Sequence, residues 1–348
     1  MARKPIGISF ALLIVGLSNS GLAVADALLF AREELMSLPV EGQAWRFVQT
    51  AALAPLAKPR IADPNDLADV NTLAKALVGV RTGNARLLHE ARRGIMMAIG
   101  TEKGGEVIGL ARNLAPYVIA ADVIGLDGDD DVRFRAWLRT LRREKLGGRT
   151  LATCHEDRPN NWGTMAGASR IAVAIYLDDQ TEIDRAAEVF RGWLGDRAVY
   201  SGFKFGGPEH DLSWQVDPLR PVGINPKSAR KQGQSIDGAL PEEMRRGGSF
   251  RWPPAETGYC WEALQGAFVQ AELLHRRGRP VYGWEDQALR RSVEFLYRIG
   301  WPPDGDDEWL TWIINRRYGA NYPLNEQARP GKIMGWTSWL YGPQKRRD

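Results

Sequence analysis

The sequence predicts an all-α fold, an α/α toroid or incomplete α/α barrel carrying one long Gly/Pro-rich cleft loop. Three observations lead there: ten or more amphipathic runs follow one another, helix breakers fall between them, and strand signals are few. A helical-repeat solenoid is the alternative, and the lack of a strict repeat period speaks against it. At 348 residues, 44% hydrophobic and 25% charged, the chain is long enough for a substantial core.

Ahead of the first helix, Arg3 and Lys4 precede the apolar run Ile6 to Leu17, and Ala23-Val24-Ala25 supplies small residues before Asp26. That is a secretory signal pattern, so residues 1–25 are read as a leader and residues 26–348 as a single helical domain, periplasmic or secreted. The apolar run is too short to span a bilayer, and no stable membrane association is expected once it is cleaved.

Leu28, Leu29, Leu35 and Leu38 give the first helical pattern, Asp26 to Leu38, and runs at 42–54, 66–78, 84–98, 107–125 and 131–144 repeat it. Pro39, Pro55, Pro59, Pro64, Gly79, Gly83, Gly104-Gly105 and Gly147-Gly148 separate them. The acidic run at Asp127 lacks the twelve-residue calcium-loop spacing and reads as a solvated turn before a helix. Helices resume at 163–177, 180–194, 258–277, 284–299 and 306–317. Between Ser201 and Glu256, 56 residues include 15 Gly or Pro together with Phe203, Phe205, Trp214, Phe250 and Trp252. A stretch this long and this aromatic reads as a lid or cleft wall, whose rings either stack on sugars or pin the loop to the core.

Loss of the leader would remove Arg3 and Lys4 and lower the formal charge from +4 to +2, so overall charge selects no partner. The basic clusters near Arg139, Arg245 and Arg316 read singly as solvated helix faces and together as candidates for lining a polyanion cleft. No nucleic-acid motif accompanies them, and nucleic acid is set aside. Two Cys without C-x-x-C spacing and four scattered His (His89, His155, His210, His275) make no zinc site; no metal or cofactor is expected.

The stretch Cys154 to Asp178 organises the rest. Its Gly-, Ala- and Ser-rich run from Gly163 to Leu177 suits a helix packed on most sides, and Asn160, Asn161 and Trp162 stand at its N-terminal mouth. Amide side chains, unpaired backbone N–H groups and the positive end of the helix dipole suit a carboxylate there; simple N-capping is the bland alternative. A second segment reads Asp237-Gly-Ala-Leu-Pro-Glu-Glu-Met-Arg-Arg-Gly, followed by Tyr259-Cys-Trp-Glu-Ala-Leu.

Together, Asn160-Asn161, the DG-LP-E--RG pattern and a Tyr heading an A-L helix resemble the alginate lyase superfamily, in order over much of residues 150–275. The resemblance implies an α/α toroid and β-elimination on an acidic polysaccharide. In that chemistry the C5 proton of a uronate becomes acidic only when its carboxylate is neutralised, a role that fits Asn160, Asn161 and Arg246. By resemblance Tyr259 is the base that takes the C5 proton and the acid that protonates the departing O4. The family has His directly after Asn-Asn, where this chain has Trp162. His210, beside Glu209 and Asp211 in the long loop, is the substitute, with His155 as second choice. Arg251 rivals Arg246, and Trp162, Arg251, Trp252 and Trp214 are candidates for binding the polymer.

Stereochemistry narrows the substrate. In β-D-mannuronate and β-D-glucuronate the C5 hydrogen and O4 share a face, so a single Tyr suffices, whereas guluronate calls for two groups. A mannuronan or glucuronan lyase is therefore expected. A glycoside hydrolase using two of Glu209, Asp211, Glu256 and Glu262, or a non-catalytic periplasmic polysaccharide-binding protein, are the alternatives. Cys154 and Cys260 flank the two segments, and in an oxidising compartment a bond between them would tether one to the other.

Overall fold

A computed structural model describes residues 27–206, 210–324 and 329–342. The leader-like pattern lies outside these residues, as does Glu209. The fold is all-α, and the only strands among the described residues form a two-residue hairpin within the long loop, β1 (Arg230–Lys231) against β2 (Gln234–Ser235).

The first elements are α1 (Arg32–Ser37), α2 (Gln43–Leu53), α3 (Ala68–Thr82), α4 (Ala85–Ala98), α5 (Val107–Ile124) and α6 (Gly128–Leu141). Then come α7 (Leu151–Asp157), α8 (Asn161–Tyr176), α9 (Gln180–Leu194), α10 (Pro241–Met244) and α11 (Tyr259–Arg276). The last three are α12 (Trp284–Arg298, regular only from Ala288), α13 (Leu310–Tyr318) and α14 (Thr337–Leu340). Against expectation, the first helix is only six residues long, α7 is an additional helix, and the predicted 306–317 run begins with a short 3₁₀ turn at Gly305–Asp307.

Helices alternate between inner and outer positions along the chain. The inner row α3, α5, α8 and α11 is buried nearly all round, and each member packs on the next. The helices that follow them, α4, α6, α9 and α12, bury one stripe and turn their charged residues outward. Sequence explains the difference. Small residues in α8 let neighbours approach closely: Gly266 of α11 lies so near α8 that a Cβ would sit 2.3 Å from the Thr164 carbonyl carbon. One turn on, the Gln270 amide donates to the Thr164 carbonyl at 2.8 Å. On the opposite side of α8, Ser169 enters the hydrogen-bond ladder of α5 beside Pro116, donating to Ala111 O at 2.9 Å and accepting from Ala115 N at 3.2 Å.

The C-terminal segment returns to the start of the row. Buried Lys332 bonds both carboxylate oxygens of Asp69 in α3 at 2.9 and 3.0 Å, and the Trp336 indole donates to Val70 O at 2.8 Å. Trp339 donates to Pro39 O at 2.9 Å. One continuous apolar core therefore runs from Leu28 to Leu340.

Candidate active site

The mouth of α8 is built from three directions. On one side the chain leaves α7 at Arg158 and turns directly into α8. The turn is fixed by the Trp193 indole, which donates to Pro159 O at 2.8 Å, and by Gly163, where a Cβ would lie 1.9 Å from the Arg158 carbonyl oxygen. Only a residue without a side chain permits that approach. On the second side stands α10, which begins at Pro241, and on the third the N-terminus of α11, headed by Tyr259.

Asn160 occupies the N-cap position but makes no side-chain cap, and its Oδ1 is buried with no hydrogen-bond partner. A glutamate from α10 caps the helix instead: Glu243 Oε1 accepts the Asn161 backbone N–H at 2.5 Å. The Asn161 amide donates to Glu262 Oε2 at 2.7 Å, and its Oδ1 is buried without a partner. The bland reading of the second Asn as an N-cap therefore does not hold: Asn161 is the first residue of α8, its amide goes to Glu262, and Asn160 at the N-cap position makes no cap either. The donors expected to face a carboxylate are oriented by two carboxylates of the chain itself.

Glu262 lies one turn after Tyr259, so both project from one face of α11. Through Glu262 the structure brings Tyr259 to Asn161. The Tyr259 ring is exposed, and the Arg246 guanidinium covers its face, with Cζ 4.1 Å from the ring centroid. Arg246 thus stands beside the tyrosine, whereas Arg251 is exposed in the loop that follows.

Beneath these groups lies an acidic floor. Burial pushes the Glu243 carboxyl up to about 8, reinforced by Glu242 and Glu262 and opposed by the Asn161 N–H and Arg246. Its Oε2 is buried and unpartnered, the place for the proton of a neutral acid. Burial also pushes Asp307, which accepts from the Gln265 amide at 2.6 Å, up to about 7, with Glu262 adding to the effect.

His210 is held at 3.0 Å from Glu242 Oε2 through its Nε2, and Glu242 is also paired with Arg245. The histidine reaches this cluster, but its orienting carboxylate is Glu242, not Asp211, which instead accepts the Ser213 N–H at 2.7 Å. His155 is not a proton carrier here: it is buried with its Nδ1 3.4 Å from Arg170, and burial together with the Arg170 and Arg185 charges holds its ring well below the usual imidazole range.

Two further expectations are corrected. Trp214 is 1% exposed, donates to Gly248 O at 3.0 Å and packs edge-on against Phe250, so it anchors the long loop and offers no face to a sugar. Trp252 is 40% exposed. Cys154 and Cys260 are free thiols with separate partners, Cys154 donating to Trp162 O at 3.5 Å and Cys260 lying 3.6 Å from Met244 Sδ. The expected tether is absent, and burial raises both thiols, Cys154 up to about 12.

Sequence reasoning missed three contributors. Glu243 was visible only as the Glu of the DG-LP-E--RG pattern, and Glu262 only as a hydrolase carboxylate. Arg158 carried no signal at all; in the fold it stacks on Trp162, with Cζ 4.5 Å from the ring centroid. A separate cavity lined by Glu34, Glu272, Arg276, Arg316 and Arg317 lies at the other end of α11 from Tyr259, and there Arg276 and Arg317 are committed to Glu34 and Glu272.

The fold is all-α, and part of the chain is similar to a known family. A family model described as alginate lyase matches residues 80–199, from the end of α3 to just beyond α9, a span that contains Asn160 and Asn161. The match covers 120 of the 348 residues and makes that part of the chain similar to alginate lyases. It ends before Arg246 and Tyr259, whose place in the site rests on geometry. No curated protein matches the chain.

Proposed function

We propose that the protein cleaves a β-1,4-linked uronate polymer, mannuronan or glucuronan, by β-elimination. The observation that carries this reading is the linked set Arg246–Tyr259–Glu262–Asn161: an exposed phenol under a guanidinium, one helical turn from the carboxylate that orients a buried amide. Asn161, whose Nδ2 has a second N–H beyond the one given to Glu262, and Arg246 meet the substrate carboxylate and stabilise negative charge as it spreads from C5. Tyr259, as phenolate, takes the C5 proton. The electron pair forms the C4=C5 double bond, the C4–O4 bond breaks, and the proton returns from the tyrosine to O4 of the leaving chain. Both transfers occur on one face of the sugar, as the mannuronate and glucuronate configurations allow.

Trp252 and Arg251, exposed in the stretch of chain between Arg246 and Tyr259, suit the rings and carboxylates of neighbouring sugar units. We place the activity in the periplasm or outside the cell, on the leader-like pattern of residues 1–25.

The test is to follow ultraviolet absorbance of a 4,5-unsaturated product on purified mannuronan, glucuronan and guluronan. Wild-type protein should produce it from one of the first two, and Tyr259→Phe, which keeps the ring under Arg246, should lose turnover by about 1000-fold or more while still binding polymer. Turnover within a few fold of wild type in Tyr259→Phe removes the tyrosine from the mechanism.

A further inference from the structure

The floor of the site is acidic, and the polymer proposed to cross it is acidic too. Glu242, Glu243 and Glu262 converge below the α8 mouth, and Asn161 already gives its backbone N–H to Glu243 and one amide hydrogen to Glu262. Of the nearby cations, Arg245, directly after α10, is committed to Glu242. A uronate carboxylate therefore needs a positive charge not already held by a protein carboxylate.

Around α7 the other basic side chains are committed. Arg149 and Lys204 share Asp157, and Arg170 and Arg185 share Glu156. Arg158 differs. Among the described residues no carboxylate pairs with it, and its guanidinium rests on the Trp162 ring. The placement is built from the backbone up: Arg158 is the C-cap of α7 in extended conformation, its carbonyl packs against Gly163 in the first turn of α8, and Pro159 is pinned by Trp193. Trp162 in turn takes the Cys154 thiol hydrogen bond on its carbonyl. An arginine stacked on an aromatic face keeps N–H groups directed away from the ring, and these match a carboxylate in a two-pronged pair.

We propose that Arg158, presented on Trp162, is a substrate-binding residue that receives a uronate carboxylate at the mouth of α8. It rests on Trp162, the residue that stands where the resemblance leads one to look for a histidine, and it differs from a histidine in chemistry. A guanidinium stays charged throughout the working pH range, so carboxylate binding at this position carries no imidazole titration. Two stacked pairs then flank the asparagines, Arg158 on Trp162, the chain neighbour of Asn161, and Arg246 on Tyr259, one turn before the Glu262 that Asn161 bonds. This rests on the lyase reading above.

Steady-state kinetics at low salt on mannuronan and glucuronan test it. Arg158→Gln should raise KM by about 10-fold or more with kcat within a few fold of wild type, and Arg158→Lys should recover part of the loss. Wild-type KM should rise with added salt more steeply than that of Arg158→Gln. An unchanged KM in Arg158→Gln overturns the proposal, as does a loss confined to kcat. If Arg158→Gln fails to fold, Arg158→Lys carries the test, since it keeps the charge but not the fork; its KM must then exceed that of wild type. If wild-type protein forms no unsaturated product from any uronate polymer, the lyase reading has failed, and calorimetry with mannuronate and glucuronate oligomers judges Arg158 on its own. Weaker binding by Arg158→Gln than by wild type then sustains the assignment; equal binding, or none by either, ends it.

Discussion

The Glu243 carboxyl caps α8 by accepting the Asn161 backbone N–H at 2.5 Å, from a position 82 residues further along the chain. A buried acid in this place has one oxygen satisfied and one orphaned, so its neutral form suits the fold and its ionised form does not.

The pH dependence of stability follows from that. Glu243 binds its proton up to about pH 8 in the folded state, against an ordinary value of 4.5. Between those values the folded chain holds more protons than the unfolded one, so this contribution is fully present below pH 4.5 and is lost as pH rises through about 8. Asp307, raised to about 7 from 3.8, acts in the same direction. Glu243→Gln keeps the acceptor for Asn161 and removes the titration. Its melting temperature should match that of wild type near pH 4 to 5, exceed it increasingly from about pH 5 to 8 and by a constant margin above that; parallel curves would show that the Glu243 carboxyl is not raised by the fold.

Asn161 and Asn160 should separate in function. The Asn161 amide is oriented by Glu262, whereas Asn160 has an orphaned Oδ1 and no cap to lose. Asn161→Ala should cut kcat by about 100-fold or more while leaving melting nearly unchanged, because the half-buried Glu262 can turn to water. A drop in stability with activity preserved per folded molecule would return Asn161 to a structural role.

Much of this fold was legible in the chain because breakers and helical periodicity are local signals. Runs such as 84–98 and 180–194 match α4 and α9 nearly residue for residue. The inner row was legible only as weak amphipathicity, and its order became visible through contacts such as Gly266 on Thr164, which join residues about a hundred positions apart. The site divides in the same way. Asn160 and Asn161 stand out because they precede a small-residue helix, but the carboxylates that orient them arrive from 82 and 101 positions away. Trp214 was misread because composition shows that a loop is aromatic and not which way a ring points. The cysteine tether failed for a related reason: flanking two segments of one site does not make two side chains face each other.

Among the ties of the C-terminal segment to α3 is one buried ion pair, Lys332 with Asp69, both at most 2% exposed. Lys332 also donates to Asp66 O, so it ties the C-terminal segment to α3. Removing one partner strands the other charge: Asp69→Ala or Lys332→Ala should each cost about 3–5 kcal/mol by denaturant unfolding. The double variant Asp69→Leu with Lys332→Met should lose less than either single change, because no charge is left buried. A double loss equal to the sum of the singles would mean that the two residues act independently.

Gly163 links stability and activity at one atom. A Cβ there would meet the Arg158 carbonyl oxygen at 1.9 Å, a contact that backbone must relieve because neither partner is a flexible side-chain end. Relief requires the end of α7 to move off the first turn of α8, carrying with it Arg158, the Pro159 carbonyl that holds Trp193, and the Asn160–Asn161 turn. Gly163→Ala should therefore destabilise by about 1–3 kcal/mol, as overpacking commonly does, and should also raise KM and lower kcat in the fraction that remains folded. The comparison that isolates the geometry is Gly167→Ala, which lies one turn further into α8 and meets the Gln270 side-chain amide at 2.5 Å instead of backbone. That variant should lose stability with the kinetic constants of its folded fraction close to wild type. Equal kinetic damage from both would show that the α8 mouth responds to any strain in the helix and not to the position of Arg158 and the two asparagines.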